Sequence, residues 1–149
     1  EKGNLLNWWT PEDSIRFYAK TKMIIKQFDH YIAVDSLHIN GDMTQGENIA
    51  DLAGVVMGYE AFKKTNQFTN KEIIAGLTPD QRFFLGYALA WMINDRPEAV
   101  ANQVKSDVHS PAKFRVLGPV SNMPEFYAAF GVKEGDALWR PDSLRVKIW

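Results

Sequence analysis

The chain has 149 residues, with 17 Lys and Arg against 18 Asp and Glu, and no cysteine. A net charge of −1 offers no one-signed field to draw in nucleic acid or an anionic membrane surface. The lack of cysteine excludes a disulfide scaffold, a thiol nucleophile, a Cys-ligated metal and an iron–sulfur cluster. In chain order, Thr10-Pro11-Glu12-Asp13 opens a helix, with Thr10 as N-cap, Pro11 at the first position and acids in the first turn. Phe17, Ile24, Ile25 and Phe28 recur at helical spacing and carry it to about Phe28. Tyr31 to Ile39 alternates loosely and reads as a short strand or extended segment, with Asn40-Gly41 as its turn. A second helix is expected from Thr44, where Thr44-Gln45-Gly46-Glu47 matches a capping box, with Ile49, Leu52, Val56 and Tyr59 as its apolar stripe. Thr78-Pro79-Asp80-Gln81 opens a third helix, expected to run to about Asn94. Being apolar nearly all round, it is predicted to be the central buried one. Arg96-Pro97-Glu98 opens a fourth, to about Ser106. From Asp107 to Pro124 the chain reads as loop, with at most a single turn near Lys113. A short helix is expected from Pro124 to Phe130, closing at Gly131.

These elements predict a mainly α-helical fold with at most a short β segment, in a single domain over residues 1–149. A chain of this length can bury roughly 70% of its unfolded surface. The longest apolar stretch, Phe83 to Ile93, is well short of the ~20 residues a membrane span needs. No cationic start followed by an apolar run marks a leader. The first residue is Glu1 rather than Met, so a processed product of a longer protein is expected.

Two spots carry possible chemistry. Glu47 and Asp51 lie four apart, on one helix face, with no evident basic neighbour. Gly54 and Gly58 continue that face. Each glycine costs ~1 kcal/mol against Ala in a helix interior, which suggests a second backbone passing close by. Equally, Glu47 could simply close the capping box on Thr44 and Asp51 could be solvated. The other spot is Asp107-Val108-His109-Ser110-Pro111, where an acid two residues before a histidine could orient the imidazole. A Ser–His–Asp set with Ser110 is conceivable but lacks a G-x-S-x-G setting. Arg115 follows six residues after His109, and its charged fork suits a carboxylate or a carbonyl. His30 and His38 have no acidic or metal-spaced partners and read as structural.

Together these segments resemble the neprilysin and endothelin-converting-enzyme family of zinc metallopeptidases, which includes PepO-like members. Gly46-Glu47-Asn48-Ile49-Ala50-Asp51 resembles the family's third-ligand motif. Val108-His109-Ser110-Pro111 with Phe114-Arg115, Asn122 and Phe126 resembles its C-terminal signature. Gly3-Asn4-Leu5, Trp8-Trp9-Thr10, Thr78 to Phe84 and the terminal Trp149 also fit. The resemblance implies the C-terminal portion of a zincin-like catalytic lobe, which hydrolyses peptides with one zinc ion. It implies Glu47 as a zinc ligand beside two histidines, in a His₂Glu site with an open position. It implies Asp51 as the acid that holds a ligand histidine, His109 as the oxyanion stabiliser, and Arg115 as the group that holds a substrate carbonyl and helps fix Asp51. The family usually continues Asn-Gly-Gly after the aspartate, where this chain has Leu52-Ala53-Gly54. It has no cysteine near its end, unlike animal members, so a bacterial member is expected.

The H-E-x-x-H helix, with its two histidine ligands and general-base glutamate, does not occur in the sequence. The missing N-terminal part of the same polypeptide is therefore the expected partner, beside a peptide substrate. The chain alone is expected to be inactive and at most incompletely ligated. The family points to the cell envelope or outside, with the cytoplasm as the alternative location. The competing reading is a non-catalytic helical module that uses the Glu47–Gly58 face to bind a partner helix.

Overall fold

A computed structural model describes Gly3 and residues 7–148; Asn4, Leu5 and Trp149, part of the family resemblance, lie outside the described residues. The described residues form seven helices and one small antiparallel sheet. Helix α1, Pro11–Asp29, starts as expected: Thr10 accepts from the Asp13 N–H, and Asp13 reaches back to the Thr10 backbone. Strands β1, Ile32–Val34, and β2, Leu37–His38, make the expected short β segment as a hairpin. Its turn is at Asp35-Ser36, with Asp35 at φ 50°, a value that Asp tolerates better than most residues.

Helix α2, Gly41–Phe62, begins three residues earlier than expected. Asn40 is its N-cap and accepts from the Met43 N–H, so Asn40-Gly41 is a helix start and not a hairpin turn. Thr44 lies inside the first turn and donates to Asn40 O, and it forms no capping box with Glu47. Glycine is required at 41, because a Cβ there would overlap the Ile25 carbonyl of α1. At Gly54 and Gly58 no backbone closes in: a Cβ would meet nothing at 54 and only the Phe83 ring, at 3.6 Å, at 58.

A single helical turn, α3, Asn66–Thr69, leads to α4, Pro79–Ala90, which opens with the expected Thr78/Gln81 capping box. Helix α4 ends four residues short of Asn94 and is not central. Phe84 faces inward, but Leu85, Leu89, Met92 and Ile93 are exposed. All-round apolarity shows what a helix can bury and not what is present to cover it. The central helix is α2, packed against α1, α4 and α6. Helix α5, Pro97–Ser106, matches expectation.

The stretch expected as loop instead contains a nine-residue helix, α6, Ala112–Val120. Gly118-Pro119 conceals it in the sequence, and tertiary contacts make both residues suitable. A Cβ at Gly118 would overlap the Phe28 ring. Pro119 has no N–H to give Arg115 O, and the Tyr87 hydroxyl donates to that carbonyl instead, at 2.7 Å. Helix α7, Pro124–Phe130, ends at Gly131 with φ 65°, as expected. A 3₁₀ turn at Asp142–Leu144 then returns the tail to the core.

Two apolar clusters hold the helices. Ile24, Phe28, Ile39, Leu52, Phe114, Val146 and Ile148 join α1, α2, α6 and the tail. Val55, Tyr59, Phe84, Val120 and Met123 join α2, α4 and α6. Each large side chain so buried stabilises the fold by ~1.5–3 kcal/mol over its exposed state. Among the described residues, no helix is long and apolar enough to cross a membrane.

Candidate active site

The α1–α2 and α2–α6 packing brings three segments to one half-exposed surface. Helix α2 supplies Glu47 and Asp51 one turn apart, α6 supplies Arg115, and the connection before α6 supplies Asp107 and His109. The 3.6-residue period puts Glu47 and Asp51 on the outer face of α2, while Asn48 and Leu52 point inward and are buried.

Arg115 makes a two-pronged pair with Asp51: Nε donates to Oδ2 at 2.6 Å and Nη2 to Oδ1 at 2.8 Å. The same Nη2 lies 3.6 Å from Glu47 Oε2. Hydrogen bonding to Asp51 raises the pKa of the guanidinium above its ordinary value. Its plane also rests on Trp91, with Cζ 4.1 Å from the ring centroid. The two acids are therefore not the unpaired, repelling couple that their spacing alone suggested. Tyr87 lies close by, its hydroxyl raised well above its ordinary pKa by burial first and the Asp51 charge second.

His109 has one nitrogen on each side of a division of labour. Nδ1 lies 2.7 Å from Asp107 Oδ1, which also accepts from the His109 backbone N–H at 2.8 Å. Nε2 lies 3.3 Å from Glu47 Oε2. The backbone and ring hydrogen bonds from His109 hold Asp107 below the ordinary carboxylate range. Ser110 is turned away from this cluster and donates to Asn48 Oδ1, so a Ser–His–Asp arrangement is not formed. His30 and His38 make backbone contacts through Nδ1, with Lys26 O and Asp29 O, away from the cluster.

The structure thus brings together Glu47, Asp51, His109 and Arg115, four residues singled out from the sequence. Sequence reading missed Trp91 beneath the guanidinium, Tyr87 on the Arg115 carbonyl, and the Asn48–Ser110 hydrogen bond. Only the last left a trace in the sequence, since its two residues directly follow Glu47 and His109.

Among the described residues, no three His, Asp or Glu side chains converge as a metal site. Glu47 suits a role as one ligand among others. It is a half-exposed carboxylate whose Oε2 faces His109 Nε2 and the Arg115 guanidinium, and carboxylate oxygen is an ordinary zinc donor.

Comparison with known proteins identifies the family. The profile described as Peptidase family M13 matches residues 1–146. The chain is 38% identical over 149 residues to a neutral endopeptidase of Lactobacillus helveticus, covering all of this chain and 21% of that protein. It is 39% identical over 141 residues to neprilysin-2 of Drosophila melanogaster, covering 92% of this chain and 18% of that protein. Among solved structures, the Mycobacterium tuberculosis zinc metalloprotease ZMP1, in complex with an inhibitor, superposes with a TM-score of 0.88. It is 39% identical, over 99% of this chain and 23% of that one. PepO from Lactobacillus rhamnosis gives a TM-score of 0.83 at 35% identity, covering 99% of this chain and 22% of its own. The chain belongs to peptidase family M13, and it spans about a fifth of the length of the relatives it matches.

Proposed function

We propose that the full-length protein is a zinc-dependent metalloendopeptidase that hydrolyses oligopeptides, with Glu47 of this chain as the third protein ligand. The observation that supports it is the convergence of Glu47, Asp51, His109 and Arg115 on one accessible surface in a chain of this family. Zinc, when bound, supplies Lewis-acid polarisation of the scissile carbonyl and a water of lowered pKa.

This chain's own residues hold and orient. Glu47 offers an anionic oxygen donor. Asp51 presents its carboxylate at a position fixed by Arg115, so that it can orient a ligand histidine from the upstream part of the polypeptide. His109, held at Nδ1 by Asp107, keeps Nε2 on the Glu47 side of the ring. Through that nitrogen it donates to the oxyanion that develops as the carbonyl is attacked. Arg115 spends two of its five N–H donors on Asp51 and retains others for a substrate carbonyl. Trp91 limits the freedom of the guanidinium from below.

The two histidine ligands and the general base are assigned to the upstream part, which would cover the α2–α4 groove lined by Gly54, Gly58, Phe83, Gly86 and Tyr87. We place the enzyme in a bacterial cell envelope or outside the cell, with the cytoplasm as the alternative. The test is peptide hydrolysis by the full-length protein with and without a chelator. Turnover should vanish on zinc removal and return on zinc addition, and the 149-residue chain alone should show none. Turnover indifferent to the chelator would reject the zinc reading, and no turnover at all would favour a non-catalytic helical module.

A further inference from the structure

The loop that carries His109 is tied to the helix that carries Glu47 by two buried side chains with no role in the chemistry above. Asn48 directly follows Glu47, and Ser110 directly follows His109. Each is 1% exposed. Ser110 Oγ donates to Asn48 Oδ1 at 2.8 Å. Asn48 Nδ2 donates to Thr44 Oγ1 at 2.9 Å, and Thr44 Oγ1 donates to Asn40 O at the start of α2, also at 2.9 Å. A continuous line of hydrogen bonds therefore runs from the loop into the first turns of α2.

The other restraints on His109 do a different job. Asp107 belongs to the same loop and travels with it, so it can set the angle of the ring but not the distance from loop to helix. Gln103 reaches His109 O only at 3.3 Å, and from α5 rather than α2. The His109–Glu47 approach of 3.3 Å joins two half-exposed groups. The Ser110–Asn48 bond is the short, dry link between the loop and α2. A buried polar pair allows little slack, because separating it leaves both groups without water. Adjacent residues on a helix point about 100° apart, so Glu47 faces outward while its neighbour anchors the loop.

We propose that Asn48 and Ser110 are positioning residues for the peptidase reaction: their buried hydrogen bond fixes the reach of His109 relative to Glu47. The inference rests on the peptidase reading and refines it. Neither side chain touches substrate, so their loss acts through His109 and lowers kcat while KM and bound zinc hold.

A double-mutant cycle in the zinc-loaded full-length enzyme tests this, with kcat, KM and zinc content measured for each protein. Ser110→Ala should lower kcat by about 10- to 100-fold, the scale set by a misplacement of about 1 Å. In a His109→Phe background the same change should have no further effect on kcat, because the group it positions is gone. Asn48→Ala combined with Ser110→Ala removes both partners, leaves Thr44 Oγ1 bonded to Asn40 O, and should match Ser110→Ala in kcat. That paired variant decides the matter if Ser110→Ala alone fails to fold. Wild-type kcat in the paired variant, or an equal fractional loss with and without His109, would overturn the positioning role while leaving the peptidase reading intact. A wild-type enzyme without zinc-dependent turnover would overturn both.

Discussion

Two polar clusters flank helix α6, and they differ in what they leave unspent. On the inner side, Gln27, Ser121 and Asn122 are buried and fully engaged. Gln27 Nε2 donates to Gly118 O and lies 2.9 Å from Ser121 Oγ; Asn122 Nδ2 donates to Gln27 Oε1 and Gly118 O, and Asn122 Oδ1 accepts from the Val146 N–H. On the outer side, half-exposed Glu47 and His109 lie beside the more covered Asp51–Arg115 ion pair, with donors and acceptors left over. Both clusters join segments distant in sequence, and only their degree of engagement differs. The inner cluster satisfies polar atoms that burial would otherwise penalise, and so it fixes architecture. The outer cluster holds charged groups apart from full neutralisation, the condition a binding or catalytic site requires.

That division can be broken by mutation, and the outer cluster should show the larger functional effect. In the full-length protein, His109→Phe should leave zinc content nearly unchanged and lower kcat by roughly 10²–10³-fold, the cost of one oxyanion donor. Loss of zinc in that variant would mean that His109 supports the metal rather than the developing charge. In the inner cluster, Asn122→Ala should lower the free energy of local opening by about 1–3 kcal/mol, since partners are left buried and unpaired. Amide exchange at Ser121 and Asn122 should accelerate while kcat stays put. A kcat that falls with intact zinc binding would show the two clusters to be coupled.

The smallest effect concerns Asp107. Folding lowers its pKa, so the stabilisation it gives is complete above the unfolded value of 3.8 and disappears as pH falls through the lower folded value. Amide protection across residues 107–111 should therefore weaken only in strong acid, and Asp107→Asn should flatten that dependence. Protection lost near neutral pH would point to a different titrating group.

The parts of the fold that were legible in the sequence are those built from local chemistry. Thr10-Pro11 and Thr78-Pro79 mark helix starts because the capping atoms lie within four residues. The parts that were hidden depend on distant neighbours. Gly41 and Gly118 read as breaks, but they are the points where α2 meets Ile25 and α6 meets Phe28. Pro119 reads as a helix stop, and it is accommodated because Tyr87, 32 positions earlier in the sequence, serves the carbonyl it leaves free. Likewise, the shared face of Glu47 and Asp51 and the Asp107–His109 couple follow from spacing. Arg115 as the partner of Asp51 follows only from the packing of α6 on α2, 64 positions away.

The central claim is that Glu47 binds zinc, and the most direct measurement is metal content after dialysis of full-length Glu47→Gln beside the wild type, with turnover measured on the same samples. Glutamine keeps the shape of the side chain and removes the charge from the proposed ligand, so zinc should be lost and peptide hydrolysis with it. The structure has already set aside a capping role for this residue. A Glu47→Gln protein that retains its zinc and its full activity would contradict the ligand assignment.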